Sequence, residues 1–215
     1  MKRLHRLLVL AAMGASPLAW AGSAEITVSG VIRPSACMPT LSGGGEYNFK
    51  TISSKQLSQT QFTQIDSPYQ VLNIQCDGPT RFGLRAIDSR AGSAATVDGY
   101  NFGLGMNGSN KIGNYQLAIL GSSIEVDGKK AVSRFFSGNG GASWMREDGV
   151  SHNRLTNSRS NTLHSFAPGN SSQPVAIQSL TAQMRVNLYI SPLNNLDVGA
   201  GIELDGASTL EVHYL

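Results

Sequence analysis

Apolar and polar residues alternate along much of the chain after its first two dozen positions. The longest example runs from Leu180 to Ile190, where every second residue is apolar. A period of two over this length predicts a β-strand with one face in a core, because successive side chains of a strand point to opposite sides. Shorter segments at 72–76, 82–86 and 115–119 repeat the pattern.

Clusters of Gly, Asn and Ser separate these segments and predict turns. One of them, Asp127-Gly128, is a dipeptide typical of tight β-hairpins. No window beyond the N-terminus has helical periodicity, so many short strands joined by turns predict an all-β sandwich. Residues 137–172 are polar and rich in Gly, Asn and Ser, which predicts long loops with one or two short strands.

Both ends of the chain that follows the N-terminal segment also alternate. Residues 202–214 place apolar and small side chains in one phase, and residues 24–32 do the same near the start. Two interpretations stay open for each end. Such a strand can pair within its own sheet, or it can present an open edge that pairs with another chain.

Residues 1–21 have the three parts of a secretory signal peptide. Met1–Arg6 is basic, Leu7–Met13 is apolar, and Ala19-Trp20-Ala21 offers small residues at a cleavage site. The apolar part is shorter than the roughly 20 residues that span a bilayer, although a signal anchor is the alternative. We therefore expect cleavage near Gly22, and no later segment is apolar enough over a sufficient length to span a membrane.

Charge argues against a nucleic-acid partner once the leader is set aside. The chain has 17 basic and 14 acidic residues, a net charge of +3. Three of the basic residues lie in the leader, so the remainder carries 14 residues of each sign. Without an excess of positive charge, the electrostatic attraction that nucleic-acid binding requires is missing.

The two cysteines, Cys37 and Cys76, predict a disulfide bond. Export to an oxidising compartment and an even number of cysteines favour one bond, with two free buried thiols as the alternative. The chain has no C-x-x-C pair, so the usual ligand set of a zinc or redox site is missing.

Other candidate chemistry is weak. Gly103–Gly108 matches G-x-G-x-x-G, but a dinucleotide site needs a helix after the motif and none is predicted. His152, His164 and His213 show no metal-ligand spacing, and no G-x-S-x-G sequence occurs. A Ser-His-Asp triad assembled in space stays open. We expect a protein that is not an enzyme and that carries no cofactor or metal.

The two alternating ends resemble those of bacterial chaperone–usher pilins. Residues 26–32 followed by Cys37 are similar to the pilin opening, in which a Gly lies seven residues before the first cysteine. The second cysteine follows 39 residues later, and residues 209–215 are similar to the pilin C-terminal strand with its penultimate tyrosine. More closely, residues 24–215 resemble a family described as beta-fimbria major subunits, built on a domain of unknown function. The segments that carry this resemblance are 32–37, 111–115, 142–144 and 204–212.

The resemblance implies an immunoglobulin-like β-sandwich that lacks its last strand. In such pilins a periplasmic chaperone lends the missing strand, and the N-terminal extension of the next subunit then replaces it to build a fibre. The residues that match the donor face of this extension are Ile26, Val28, Gly30 and Ile32. The residues that match the strand and groove meeting the chaperone or the donor are Leu210, Val212 and Tyr214.

The expected organisation is a signal peptide at 1–21, a donor-strand extension at 22–32 and a pilin-like β-sandwich at 33–215. The extension is short, since 15 residues separate the expected cleavage site from Cys37. The resemblance implies a structural subunit of a surface fimbria that serves cell adhesion. Its partners would be a periplasmic chaperone, an outer-membrane usher and neighbouring fimbrial subunits, with no nucleic acid and no membrane span after signal cleavage.

Two other functions stay open. The chain could be a tip or adhesin-type subunit of the same system, whose long 137–172 loops contact a ligand. It could also be a secreted β-sandwich enzyme, for which titratable groups should converge in a cleft.

Overall fold

The computed structural model of the chain describes residues 26–31, 36–148, 152–157 and 161–215. The chain divides into two compact units, Met1–Arg33 and Pro34–Leu215. The predicted signal peptide and Ile32 lie outside the described residues. In the first unit, residues 26–31 are described and belong to no strand.

The second unit is built from short antiparallel strands. These are β1 (Cys37–Leu41), β2 (Thr63–Asp66), β3 (Gln70–Thr80), β4 (Phe82–Asp88), β5 (Phe102–Gly103), β6 (Met106–Asn107), β7 (Asn110–Lys111), β8 (Gly113–Leu120), β9 (Glu125–Val126), β10 (Val132–Ser137), β11 (Met145–Arg146), β12 (His152–Arg154), β13 (Leu163–Pro168), β14 (Ile177–Ile190) and β15 (Ser208–Tyr214). The helical elements of the described residues are 3₁₀ turns at Ser42–Gly45, Ser54–Gln56, Gly121–Ser123 and Leu193–Asn195. No helix in this part of the chain has the length and apolar composition needed to cross a membrane.

Two sheets form the sandwich. The larger sheet has the order β1-β3-β14-β8-β12, with β2 and β9 also paired to β14 and β5 paired to β8. The smaller sheet has the order β11-β10-β13-β4-β15, and β6 and β7 form a separate hairpin. The predicted all-β sandwich is confirmed.

The predicted alternation of β14 is confirmed by burial. All six apolar residues of its inward phase are buried in the core: Leu180, Ala182, Met184, Val186, Leu188 and Ile190. Residues of β3, β4 and β8 pack against them, among them Leu72, Leu84 and Leu117. Because both sheets contribute one apolar face to this core, alternation in the sequence was a sound guide to these four strands.

The predicted Asp127-Gly128 turn is also confirmed. Both residues have a positive φ, 48° and 74°, as a type I′ hairpin turn requires. Backbone hydrogen bonds join Val126 and Lys129 in both directions at 2.9 Å. The Asp127 carboxylate accepts hydrogen bonds from the backbone N–H groups of Gln178 and Ser179, which ties the turn to β14.

Residues 137–172 contain more strand than the sequence predicts. Three strands lie within this region, β11, β12 and β13, and β13 is a six-residue member of the smaller sheet. Leu163 and Phe166 are buried on it, and so are the polar Ser165 and His164. A strand buried on both faces has no simple alternation, which explains why it reads as a loop.

The C-terminal strand is shorter than its sequence pattern. The alternation begins at Ile202, but β15 begins at Ser208. Residues before it form a loop that Arg90 holds, since its guanidinium donates two hydrogen bonds of 2.8 Å to the Asp205 carboxylate.

Candidate functional site

β1 and β15 flank an apolar groove. Each lies at the end of its sheet, and within the described residues β1 pairs with β3 alone while β15 pairs with β4 alone. Between them is a cavity of about 620 Å³ whose rims are residues 39–45 and 204–210. We call this cavity the groove. Its floor is formed by core side chains of the larger sheet and one neighbouring loop: Leu72, Leu104, Tyr115, Leu117, Met184, Val186 and Leu188.

The edge of β15 that faces the groove is open. Ala207 accepts a backbone hydrogen bond from Ser89, and Leu215 donates one to Arg81, each at 3.0 Å. Backbone groups of an antiparallel strand alternate in direction, so the odd-numbered residues of β15 bond to β4. The N–H and C=O groups of the even-numbered residues therefore face away from β4: Ser208, Leu210, Val212 and Tyr214.

The inward side chains of β15 are those that the resemblance assigned to chaperone and donor contact. Leu210 and Val212 are half-buried and pack against the core. Tyr214 is 44% exposed, and its hydroxyl oxygen accepts a hydrogen bond of 2.9 Å from the backbone N–H of Cys37. Tyr214 therefore bridges from β15 to β1 instead of pointing into the groove floor.

The edge of β1 is different from that of β15. Asp77 donates a backbone hydrogen bond of 3.0 Å to Ala36, so the even-numbered residues face β3 and the odd-numbered ones face the groove. The Cys37 N–H is already bonded to Tyr214, and Pro39 has no N–H. Of the outward positions on β1, only Leu41 keeps an unused backbone donor.

The predicted Cys37–Cys76 disulfide is present. The two cysteines lie directly opposite each other in the register of β1 and β3. Cys76 is buried, and Cys37 packs against the core. The bond therefore fixes β1 to the larger sheet at one end of the groove.

Two tyrosines shape the other parts of the groove. The Tyr47 hydroxyl donates a hydrogen bond of 3.1 Å to the backbone oxygen of Met184, and burial raises the pKa of Tyr47 to about 12. Burial likewise raises the pKa of Tyr115, on the floor, to about 12. Gly206 leaves room for this ring, because a Cβ at that position would lie 2.8 Å from the Tyr115 Cε1 atom.

The residues matched to the donor face lie in the N-terminal unit. Ile26 is 87% exposed and Val28 is 91% exposed, and no atom lies within 4 Å of the position where Gly30 would carry a Cβ. Ile32 falls outside the described residues.

A buried polar cluster that the sequence did not reveal surrounds His164. Its Nε2 atom accepts a hydrogen bond of 3.2 Å from the Thr156 backbone, and its Nδ1 atom lies 3.8 Å from the Glu147 carboxylate. The Thr156 hydroxyl donates to Thr162 at 2.7 Å. The cluster has the kinds of groups found in a catalytic triad, but its hydroxyl is buried and none of these residues lines the groove.

Burial controls the charge of this cluster. It lowers the pKa of His164 from 6.5 to about 4 and raises the pKa of Glu147. Folded His164 therefore takes up its proton at a lower pH than unfolded His164. Its contribution to stability is intact above pH 6.5 and is lost as the pH falls towards 4.

The other candidate motifs gain no chemistry from the structure. Gly103–Gly108 runs from β5 into the β6–β7 hairpin, and no helix follows it. Among the residues that the structure describes, no three His, Cys, Asp or Glu side chains come together as metal ligands would.

Comparisons with known proteins show similarity over most of the chain. A family model described as "Protein of unknown function (DUF1120)" matches residues 26–114. "Uncharacterized protein YhcF" of Escherichia coli (strain K12) is 26% identical over 220 residues, which covers 89% of this chain and 90% of the relative. "Protein GltF" of the same organism is 25% identical over 224 residues, which covers 89% of this chain and 88% of the relative. The alignments cover about nine-tenths of each relative, and neither name states an activity or an assembly.

Proposed function

We propose that this chain is a structural subunit of a chaperone–usher surface fimbria, assembled by donor-strand exchange and serving cell adhesion. The observation that carries the proposal is the groove, where an open strand edge borders a cavity lined by core side chains. A sandwich normally closes such a position with another strand of its own. Among the strands that the structure describes, none fills this position, which supports a strand from another molecule as its occupant.

The edge of β15 supplies the means to hold such a strand. Its unused N–H and C=O groups can pair with any extended segment, and alternate side chains of that segment would enter the cavity. Pairing gives affinity that does not depend on sequence, while the cavity selects apolar side chains. The groove therefore fits an extended apolar segment better than a folded surface.

The segment that we assign to this role in the fibre is the N-terminal extension of a neighbouring subunit, residues 22–32. Ile26, Val28 and Ile32 would enter the cavity, and Gly30 would allow a close approach of the two backbones. Full burial of each large apolar side chain would contribute about 1.5–3 kcal/mol. Before assembly, a periplasmic chaperone would fill the groove, and an outer-membrane usher would mediate the exchange on the way to the cell surface.

Peptide binding tests this proposal directly. A peptide of residues 22–34 should bind the purified chain that begins at residue 22, as measured by fluorescence anisotropy. A peptide with Ile26→Ser and Val28→Ser should bind at least tenfold more weakly. The matched control carries Thr27→Ala and Ser29→Ala on the opposite face and should bind like the parent. Equal binding of all three peptides, or no binding of any, would contradict donor-strand exchange.

Electron microscopy tests the function in cells. Cells that export this chain should carry surface fibres, and deletion of the chain should remove them. Fibres that persist unchanged after deletion would count against a structural role.

A depression on the larger sheet favours a second function, ligand binding by a tip or adhesin-type subunit. It has a volume of about 220 Å³ and is lined by Phe62, Thr96, Asn101, Asn114, Gln116 and Tyr189. The buried Asn101 side-chain oxygen accepts hydrogen bonds from the amide groups of Asn114 and Gln116, at 2.8 and 2.9 Å. None of the lining side chains is an acid or a base of the Asp, Glu, Lys, Arg or His type. Aromatic and amide groups without charge suit a neutral, hydroxyl-rich ligand such as a sugar.

A titration with monosaccharides tests this second function. Neutral hexoses should shift the NMR signals of the Asn114 and Gln116 amides, and Phe62→Ala should weaken the shift. Val97→Ala is the matched control, since Val97 is another exposed apolar residue that does not line the depression. No shift with any neutral hexose, or an equal shift with sialic acid, would argue against this site.

A further inference from the structure

Tyr214 closes one end of the groove. The cavity is lined by β1 from Pro39 onward and by β15 up to Leu210, so it ends before Val212. At this end the Cys37 N–H donates its 2.9 Å hydrogen bond to the Tyr214 hydroxyl oxygen. The groove is thus open where β15 begins and closed where β15 ends.

The closed end has no room for another strand. Adjacent strands in a sheet lie about 4.8 Å apart, so a strand inserted between β1 and β15 needs them to be about 10 Å apart. Cα atoms of β1 and β15 approach each other within 8 Å. A strand that extended along the whole of β15 would have to separate these two strands and break the Tyr214 contact.

Both partners in this contact are held in place. Cys37 is covalently bound to Cys76, which is buried in the neighbouring strand. Tyr214 is the last residue of β15, and the backbone of Leu215 next to it donates to Arg81 at 3.0 Å. The hydrogen bond therefore joins two fixed points, one on each sheet.

We infer that the Tyr214–Cys37 hydrogen bond is a stop that limits an inserted strand to the open part of the groove. This inference rests on the proposed function for the identity of the inserted strand, residues 26–32 of a neighbouring subunit. Residues 204–210 offer a length of seven residues, or about 24 Å of extended chain. The short N-terminal extension matches this short groove, and Tyr214 is the residue that sets its length.

Hydrogen exchange measured by NMR tests the stop. In the free chain, the Cys37 N–H should exchange slowly, and Tyr214→Phe should speed its exchange at least tenfold because the acceptor oxygen is lost. Tyr47→Phe is the matched control, since it removes another hydroxyl from the groove and should leave Cys37 unchanged. Equal exchange of Cys37 in the parent and in Tyr214→Phe would overturn the inference.

The set of backbone N–H groups that a bound peptide protects from exchange tests whether the stop limits an inserted strand. The peptide of residues 22–34 should protect the Leu210 N–H of the parent chain but not the Val212 or Tyr214 N–H. In Tyr214→Phe the protection should extend to both. Protection of Tyr214 in the parent, or the same footprint in both chains, would overturn the inference. A peptide that binds neither chain would contradict the proposed function, and the exchange of Cys37 alone would then decide whether the stop exists.

Discussion

The two edges of the groove are built in opposite ways. β15 presents the unused backbone groups of Leu210 and Val212 beside half-buried apolar side chains. β1 offers fewer outward donors, because one of its outward N–H groups is bonded to Tyr214 and another is absent at Pro39. A strand that enters the groove therefore has one wall to pair with and one wall to pack against.

The difference between β1 and β15 explains how an exposed strand edge can be restricted in what it pairs with. An open strand edge invites pairing with any extended chain, and proteins restrict such edges with proline, covalent bonds or side-chain contacts. β1 carries all three, whereas β15 carries none along Ser208–Val212. A strand in the groove would therefore pair with β15 and not with β1.

The largest expected effect comes from the strand that enters the groove. Replacing Ile26 and Val28 together with Ser should remove about 3–6 kcal/mol from subunit association, since under the proposed function each would bury its side chain only in the fibre. The variant should keep the thermal midpoint of the parent and still bind its chaperone, but it should not polymerise.

Differential scanning calorimetry of the chaperone-free variant separates this prediction from its rival. If residues 24–32 form a strand of their own sandwich, the midpoint should drop markedly. A large drop would therefore contradict the role of this segment as a donor.

Removing the disulfide should remove one of the constraints that β1 has and β15 lacks. Cys37→Ala with Cys76→Ala opens a covalent loop with a sequence separation of 39 residues, which should lower the free energy of unfolding by about 4 kcal/mol. β1 would then lose its covalent attachment beside the groove and keep its backbone pairing with β3. Urea unfolding measures the effect, and a reducing agent should destabilise the parent but not the double variant. A change below about 1 kcal/mol would show that β1 is held mainly by packing.

The sequence predicts those strands in which apolar residues alternate with polar or small ones. The alternation of β14 is visible because residues such as Gln183 and Arg185 separate its buried Met184 from its other inward residues. β13 and β10 are buried on both faces, so polar residues such as Ser133 and Ser165 lie inside and hide the pattern. Their positions in the smaller sheet depend on contacts between strands, which the periodicity of a single segment does not reveal.

Some features of the candidate site could likewise be predicted from the sequence, and others could not. The disulfide could be predicted from the export signal and the even number of cysteines, and the apolar phase of β15 from its alternation. The closure of the groove could not, because Cys37 and Tyr214 are separated by 177 residues and meet only after both sheets have formed. The role of Gly206 is equally hidden, since it depends on the position of the Tyr115 ring.

A charge on the inward face of β15 should damage the pairing wall. Leu210→Asp should lower the free energy of unfolding by about 2 kcal/mol, because the side chain loses its apolar contacts with the core. Thr209→Asp is the matched control, since Thr209 is exposed on the same strand and its change should cost no more than about 0.5 kcal/mol. Urea unfolding and co-purification with the chaperone measure both variants. Equal behaviour of the two would mean that this face of β15 is not the binding face.

The smallest expected effect would come from restoring a donor to the other wall. Pro39→Ala adds an N–H that faces the groove, where an inserted strand can accept a hydrogen bond from it. A net gain of about 0.5–1.5 kcal/mol for one hydrogen bond corresponds to peptide binding about two- to tenfold tighter. The free variant should be less stable by up to about 1 kcal/mol, because alanine leaves the unfolded chain more freedom than proline. Pro192→Ala controls for that second effect, since Pro192 does not line the groove and its change should leave peptide affinity as it is.

Isothermal titration with the peptide of residues 22–34 gives the comparison, and hydrogen exchange should show the new N–H at position 39 protected only in the bound state. Unchanged affinity in Pro39→Ala would mean that β1 lies too far from the inserted strand to pair with it. The Tyr214 stop, and not the missing N–H of Pro39, would then be what keeps β1 and the inserted strand apart.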